Sequence, residues 1–444
     1  MNEKKFLELL NEKKFKDVRS ALQAMNTVDI ADVLSDLDDK ELIQAFRLIE
    51  KSKAADVFSE MSNSMQAYLV EMFTEKELKD ILDDLYMDDT VDLLEDLPAN
   101  LVTRILEHVD SNKRTQINTI LNYPEDSTGS IMTTEYVNLK KHTTVEGALA
   151  HIKKTGIHKE TIYTCYVLEN RKLIGIVTAK ELMTMDSDMT MEELMTTEFL
   201  SVTTHTDQEE TAKLFSKYGF LAIPVVDRQG FMVGIVTVDD AMDVMLDETT
   251  EDMELMSALN PSETSYFETS VLTHAKNRIG WLMFLMLSAM ITQTIIAKYE
   301  NAFAALPLLV SFIPMLTDTG GNCGSQSSTL IIRGIALDEI QFKDIFKIMF
   351  REFRIAVLVG LALSITNGIY IMIRYKNPMI ALLVGISLIA TILMAKIIGS
   401  ILPLFAKKLH LDPAIMAAPL ITTIVDAGSI LVYFNVATKL LNLA

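Results

Sequence analysis

Cysteine is scarce. Cys165 and Cys323 are the two in 444 residues, too few for a disulfide framework, and Cys323 lies in an apolar stretch. Histidine clusters are missing as well. The seven histidines are scattered, and His205, His274 and His410 have no partner at ligand spacing, which excludes a zinc or copper centre of the usual kind. No nucleophile is paired with a base, and no phosphate-cradling glycine loop is joined to a lysine, so the chain does not read as an enzyme. The opening residues, MNEKKFLELL, lack an apolar core followed by a small-residue cleavage site. No signal peptide is expected, and the first domain is expected in the cytosol. Basic charge is short in the first part of the chain. From Val271 onward there are 8 Asp+Glu and 14 Lys+Arg. Subtracting these from 60 and 40 leaves 52 acids and 26 bases in residues 1–270, a balance of −26 against +6. A surface that acidic is a poor partner for nucleic acid and a good one for cations.

What is present reads as several domains. Residues 1–124 show apolar side chains at helical spacing with few glycines, an all-α pattern. Three segments resemble one another: Asp29-Ile-Ala-Asp-Val-Leu-Ser-Asp-Leu37, Ala55-Asp-Val-Phe-Ser-Glu-Met61 and Asp89-Thr-Val-Asp-Leu-Leu-Glu-Asp-Leu97. Repeated helical units of this size predict a small superhelical stack, with many of the acids serving helix N-termini. Tyr123-Pro-Glu-Asp-Ser-Thr-Gly129 ends that pattern. A duplication follows over residues 125–246. Met132-Thr-Thr-Glu135 recurs as Met195-Thr-Thr-Glu198, and Gly175-Ile-Val-Thr178 as Gly234-Ile-Val-Thr237. Each copy predicts strand, helix, strand, strand, helix, with hairpin turns at Glu169-Asn-Arg171 and Arg228-Gln-Gly230. The pair resembles a tandem of cystathionine-β-synthase-type (CBS) modules, the α/β Bateman arrangement. In such modules a Gly-h-x-Thr-x-x-Asp pattern can hold an adenosine ribose. The second copy matches with Thr237 and Asp240, which the resemblance makes candidates for an ATP-type nucleotide, while the first has Glu181 in place of Asp.

Residues 239–254 are dense in acids. Helical spacing puts Asp240, Asp243, Asp247, Glu251 and Glu254 on one face, where like charges three and four apart invite counter-ions. This helix is expected to continue through 247–270, past Tyr266 and Phe267, as a mechanical link to the apolar part. The apolar runs are Ile279–Ala297, Ala302–Leu316 continuing past a break to Ile335, Ile355–Ile373, Met379–Ala406 and Pro413–Ala437. They predict an all-α domain over 271–444 with five membrane spans. Lys276, Arg278, Arg333, Lys343, Lys347, Arg351, Arg354, Lys407 and Lys408 fall on one side, and Lys298, Arg374, Lys376 and Lys439 on the other. Nine against four predicts a cytoplasmic N-terminus and an external C-terminus.

Two features of the apolar part carry chemistry. Asp426 sits near the middle of the last run, and a carboxylate at that depth faces either a partner or a wet cavity. Lys396, in another apolar run, is the candidate partner. Thr422 and Ser429 share the helix face of Asp426. The second feature is the run from Pro314 to Thr329, PMLTDTGGNCGSQSST, whose small polar groups predict an interruption of the second span. Gly321, Ser325 and Thr329 form one narrow face there. Small residues allow close helix packing, but the density of hydroxyls and amides favours a pore lining. One carboxylate among neutral oxygens suits a hard, hydrated divalent ion such as Mg²⁺.

The order of parts resembles the MgtE family of magnesium channels and transporters over essentially the whole chain. The strings that carry the resemblance are Tyr123 to Gly129, Val238-Asp-Asp, Glu251-Asp252, Pro314 through Gly-Gly-Asn-Cys-Gly-Ser-Gln-Ser to Arg333-Gly-Ile-Ala, and Asp412-Pro through Thr422-Thr-Ile-Val-Asp426. The resemblance implies a homodimer in the cell membrane with a pore on the two-fold axis. Asp426 would attract hydrated Mg²⁺, and Thr422, Gly321, Ser325 and Thr329 would line the same site. Ser325 stands where several members have Asn. Asp89, Asp92, Asp207, Glu209, Asp240, Asp243, Glu248, Glu251 and Asp252 would bind regulatory Mg²⁺, whose binding closes the pore through the connecting helix. Two other readings stay open: a proton- or Na⁺-coupled divalent-cation transporter, and a membrane receptor that senses nucleotide.

Overall fold

The computed structural model describes residues 3–262, 266–267, 269–299 and 306–441. The chain divides into two compact units, Met1–Leu246 and Asp247–Ala444.

The first unit opens with ten short helices: α1 (Glu3–Asn11), α2 (Phe15–Ala24), α3 (Thr27–Ser35), α4 (Asp39–Phe46), α5 (Lys51–Ser59), α6 (Asn63–Met72), α7 (Glu75–Asp84), α8 (Met87–Asp96), α9 (Ala99–His108) and α10 (Ser111–Ile120). Caps set their starts. Asp38 accepts from the N–H groups of Lys40 and Glu41, Asp110 does the same for Asn112 and Lys113, and Thr74 with Glu77 forms a capping box. Four successive helices, α6 to α9, end on an extended apolar residue that turns inward, Phe73, Leu85, Leu97 and Val109. Three cations tie a later helix to an earlier one. Lys53 donates to the carbonyls of Gln23 and Met25. Arg104 donates to those of Val70, Glu71 and Phe73, and Lys113 to those of Leu82 and Leu85. These are the carbonyls a helix end leaves without partners, and a cation there also meets the negative end of the helix dipole.

The duplicated part forms two small sheets: β1 (Tyr136–Lys140), β2 (Thr161–Glu169) and β3 (Lys172–Thr178), then β4 (Val202–Thr203), β5 (Ala222–Val226) and β6 (Met232–Thr237). In each, the first pair is parallel and the second antiparallel. The helices are α11 (Val145–Thr155), α12 (Ala179–Thr184), α13 (Met191–Leu194), α14 (Gln208–Tyr218) and α15 (Val238–Met256). The two repeated strings turn out to be one reciprocal contact. Thr133 bridges to Ile235, and Thr196 to Ile176. A Cβ on Gly234 would lie 2.8 Å from Met132 Sδ, and one on Gly175 2.6 Å from Met195 Sδ. Each module's methionine therefore needs the other module's glycine. The hairpin turns fall where the spacing puts them, with Asn170, Arg171 and Gly230 at positive φ.

In the second unit the long helices are α16 (Val271–Lys298), α17 (Ile313–Ala336), α18 (Ile345–Tyr375), α19 (Pro378–Lys408) and α20 (Ala418–Leu441). α17 packs on α19 and α20, α18 on α19, and α16 on α20. Among the described residues four segments are long and apolar enough to cross a membrane: Val271–Lys298, Phe342–Tyr375, Pro378–Lys408 and Pro413–Leu441. α17 is 24 residues long, and its polar run keeps it out of that set. The start of the expected second run, 302–305, lies outside the described residues.

Two expectations are corrected here. The run from Pro314 to Thr329 is no interruption: α17 is continuous through it. Pro314 stands in the first turn, where its missing N–H and fixed φ suit a helix start. The glycines allow close packing. A Cβ on Gly320 would meet Thr391 and Val425, one on Gly324 would meet Ile421, and one on Gly399 would collide with the Gly324 carbonyl. The connecting helix over 247–270 is also shorter than expected. α15 ends at Met256, Ala258 takes a positive φ, Pro261 follows, and the next helix starts at Val271. Positions 263–265 and 268 lie outside the described residues.

Arg104→Met is expected to leave the α6 carbonyls unsatisfied and to destabilise the helical stack by about 1–3 kcal/mol. Hydrogen exchange on the full chain should show faster exchange in α6 to α9, with the duplicated modules unchanged.

Candidate functional site

The oxygen-rich face of the second unit is built by two antiparallel helices. Gly320 of α17 lies against Val425 and Ser429 of α20, Gly321 against Thr422, and Gly324 against Ile421, while the Ser328 hydroxyl donates to the Met416 carbonyl at 2.9 Å. Rising along α17 thus means descending along α20. Gly321 and Thr422 come together as the sequence suggested. Ser325 donates to the Gly321 carbonyl at 2.9 Å and Thr422 to the Pro419 carbonyl at 3.0 Å, so both hydroxyl oxygens keep acceptor capacity. Asn322, Gln326 and Thr329 are exposed in the single chain, and Ser325 is half-buried. The two roles of the run are split around the helix: the glycines and the buried Ser327 and Ser328 face the neighbouring helices, and Asn322, Gln326 and Thr329 face outward.

Asp426 is half-buried on α20. Its electrostatic neighbour is Asp318 of α17, which sits one turn before Asn322 on the open face. The sequence reading passed over Asp318, although a second acid at helical spacing from Asn322 and Ser325 was a visible signal. Among the described residues no lysine or arginine is within ion-pair distance of Asp426. The expected candidate, Lys396, is taken: its Nζ lies 3.7 Å from Glu352 of α18 and donates to Ser327 at 3.1 Å.

A second constellation lies in the first unit, where α8 meets the second module. Asp88 is 8 % exposed, and the Asp89 N–H donates to its Oδ1 at 3.0 Å. Asp240 accepts from the Thr237 hydroxyl at 2.5 Å and caps α15. Glu160 joins them, and its Oε2 is buried without a hydrogen-bond partner among the described residues. Burial, reinforced by the charge of Asp240, pushes Asp88 well up, Asp89 up to about 7 and Glu160 up to about 8. Burial lifts Asp240 to about 6 against the opposing Thr237 hydrogen bond. Glu60 is raised too, by burial and the charge of Asp243. Such a set is stable only with protons or cations among the oxygens. Among the described residues no three acidic, histidine or cysteine side chains converge to hold a metal directly. The arrangement suits a cation that keeps its water.

Of the expected regulatory acids, Asp89 and Asp240 belong to this constellation, and Asp243 acts on Glu60 and Asp240 through its charge. Asp207 caps α14 through the N–H groups of Glu209 and Glu210, and Glu209 pairs with Lys213 at 2.6 Å. Asp92 lies on α8, and Glu248, Glu251 and Asp252 on α15. Asp88, Glu160 and Glu60 went unread, because only the docking of α8 brings them to Asp240. The Thr-x-x-acid pattern caps a helix in both modules: Thr178 donates to Glu181 at 2.7 Å as Thr237 does to Asp240.

Comparison with known proteins covers nearly the whole chain. A family model described as a divalent cation transporter, MgtE, matches residues 313–436, the MgtE intracellular N domain matches 25–126, and the CBS domain matches 129–188 and 191–247. The magnesium transporter MgtE of Bacillus subtilis is 32% identical over 98% of this chain and 96% of its own length. That of Thermus thermophilus is 33% identical over 98% and 97%. A solved cytosolic domain of the Mg²⁺ channel MgtE in complex with ATP is 33% identical with a TM-score of 0.52, covering 55% of this chain and all of that one.

The acid constellation predicts a definite pH response. Folded pKa values of about 7 for Asp89 and about 8 for Glu160 exceed their unfolded values of about 4. The folded state therefore holds more protons. That stability is complete below about pH 4 and is lost as the pH rises through about 7 and 8. In divalent-free buffer, hydrogen-exchange protection of α8, corrected for intrinsic rates, should fall from about pH 5 to about pH 8.5. Glu160→Gln should flatten the upper part of the fall, and a flat profile in the unmodified chain would refute the assignment.

Proposed function

The chain belongs to the MgtE family of magnesium transporters, and on that premise we propose a Mg²⁺ channel of the cell membrane, closed by cytosolic Mg²⁺. The observation that carries the path is the unmatched carboxylate: among the described residues no lysine or arginine pairs with Asp426, and Lys396, the expected partner, is occupied by Glu352. Asp426, Thr422, Gly321, Ser325 and Thr329 form the proposed lining, with Asp318 added at the level of Asp426. Two copies of the chain supply it around a two-fold axis, with α17 as the second of five spans and α20 as the fifth. The apolar side chains exposed on α16 and α18 suit lipid. The charge bias of the loops supports a cytoplasmic N-terminus and an external C-terminus. One negative group per chain and neutral oxygens favour an ion that passes with much of its water.

The proposed domains are an N domain over 1–124, paired modules over 125–246, a connecting plug over 247–270 and a pore domain over 271–444. Regulation is assigned to the acids on α8, α14 and α15. Asp89, Asp92, Asp207, Glu209, Asp240, Asp243, Glu248, Glu251 and Asp252 would take up hydrated Mg²⁺ when it is abundant, with Asp88 and Glu160 at the centre. Without the ion the buried carboxylates repel, which favours an opened arrangement. Support comes from their raised pKa values and from the orphaned oxygen of Glu160. Nucleotide binding is a second reading, supported by the ATP complex of a relative's cytosolic domain. Thr237 and Asp240 would be its contacts, and the carboxylates around them would repel a triphosphate unless a cation accompanied it.

Proteoliposomes holding the purified protein test the path. Asp426→Ala should lower Mg²⁺ uptake by about tenfold or more, the effect of losing roughly 1.4 kcal/mol or more of cation stabilisation. Undiminished uptake would remove Asp426 from the path. Uptake driven by membrane potential should not need a pH or Na⁺ gradient, and a requirement for either would favour the coupled carrier. Neutralising Asp240, Asp243 and Glu251 together should leave flux less inhibited by millimolar Mg²⁺ on the cytosolic side, and unchanged inhibition would overturn the sensing role.

A further inference from the structure

The open face of α17 has a charged back. Ser327 is 1 % exposed, Glu352 on α18 8 % and Lys396 on α19 5 %. The Ser327 hydroxyl donates to Glu352 Oε2 at 2.7 Å, Lys396 Nζ donates to Ser327 Oγ at 3.1 Å, and Nζ stands 3.7 Å from the same Oε2. One hydroxyl thus joins a buried carboxylate to a buried ammonium and fastens α17 to two neighbours. Burial of such a pair is a poor way to stabilise a bundle. Its desolvation penalty rivals the attraction, and apolar side chains of like volume hold helices as well or better. Lys396 lies within the apolar run 379–406, where the penalty is heavier still, whereas Glu352 stands in the second turn of α18, between Arg351 and Arg354 and just before the run 355–373. The pair therefore needs a reason beyond packing.

Its position supplies one. Ser327 is two residues from both Ser325 and Thr329 and points to the other side of the helix, so the pair lies about 10 Å, one helix diameter, behind the outward face. Across dry protein a unit charge at that range acts strongly on a divalent ion, far more than it would through water. Paired, the two charges nearly cancel. Asp318 and Asp426 are then left to set the field on the open face. We propose that Glu352 and Lys396 are positioning residues for cation passage: they hold α17 with its oxygens outward and keep their own net charge there at zero. The inference rests on the reading of the α17–α20 face as the path.

The test uses full-length protein in proteoliposomes, reading the Mg²⁺ concentration for half-maximal uptake separately from the maximal rate. Lys396→Met leaves the carboxylate unbalanced and should lower the half-saturating concentration about three- to tenfold. Glu352→Gln leaves the ammonium and should raise it by a similar factor. Lys396→Arg, which keeps the charge, should stay near the unmodified value. The double variant E352Q/K396M should return to within about twofold of it, even if its maximal rate falls. Packing alone would move both single variants the same way or neither, and either result overturns the proposal. If the single variants do not fold, the double variant decides: a half-saturation shifted more than about threefold overturns the charge balance. Asp426→Asn serves as the separate control. If it conducts normally, the path itself has been misplaced, whatever the pair does.

Discussion

A half-buried carboxylate with no counter-charge among the described residues, set in an apolar bundle, is the constraint on which the second unit depends. Asp426 sits on α20 among Thr422, Thr423, Ser429 and a majority of apolar residues, and Asp318 faces it from α17. Carboxylates so placed require water or a cation within reach. Much of the local architecture serves that requirement. Glycines at 320, 324 and 399 draw α17 onto α19 and α20 along one side, and Asn322, Gln326 and Thr329 are left to the other. Lys396 would remove the requirement if it reached Asp426. Glu352 and Ser327 hold it elsewhere.

The first unit meets the same physics with a different remedy. Where α8 docks on the second module, Asp88, Asp89, Glu160 and Asp240 share one partly buried space. The raised pKa values of these acids come from lost solvation first and from mutual repulsion second. A proton relieves it at low pH, and a hydrated divalent ion can do so at neutral pH. An ion bound there would draw its binding energy from repulsion already built into the docked form. Elsewhere on this unit acids have ordinary tasks, as caps at Asp38, Asp110 and Asp207 or in surface pairs such as Glu209 with Lys213. The −26 balance of residues 1–270 is thus a mixture of structural and responsive charge.

Local rules were legible without coordinates. The helical repeat, the strand–helix–strand–strand–helix order of each module and the positive-φ hairpin turns all follow from short-range spacing, turn chemistry and capping. The duplicated strings announced two modules, and the structure adds why those residues recur: Met132 packs on Gly234, and Met195 on Gly175. Local rules also misled. Glycine and hydroxyl density between Pro314 and Thr329 suggested broken backbone, whereas neighbours that pack closely keep α17 helical. The acids of α15 suggested a longer helix than the one that ends at Met256.

By itself, then, the sequence determined the parts: an acidic helical stack, paired modules, a bundle of apolar helices, and one conspicuous acid at 426. Periodicity and charge balance act over a few residues or over whole segments, so they can be read along a chain. Which charges neutralise which was decided only by tertiary structure. Lys396 could have paired with Asp426 or Glu352, and nothing local separates the two outcomes. Likewise nothing in the order of residues brings Glu160 and Asp88 to Asp240. Coulomb energy and desolvation depend on distance and burial, and both exist only once the helices have packed.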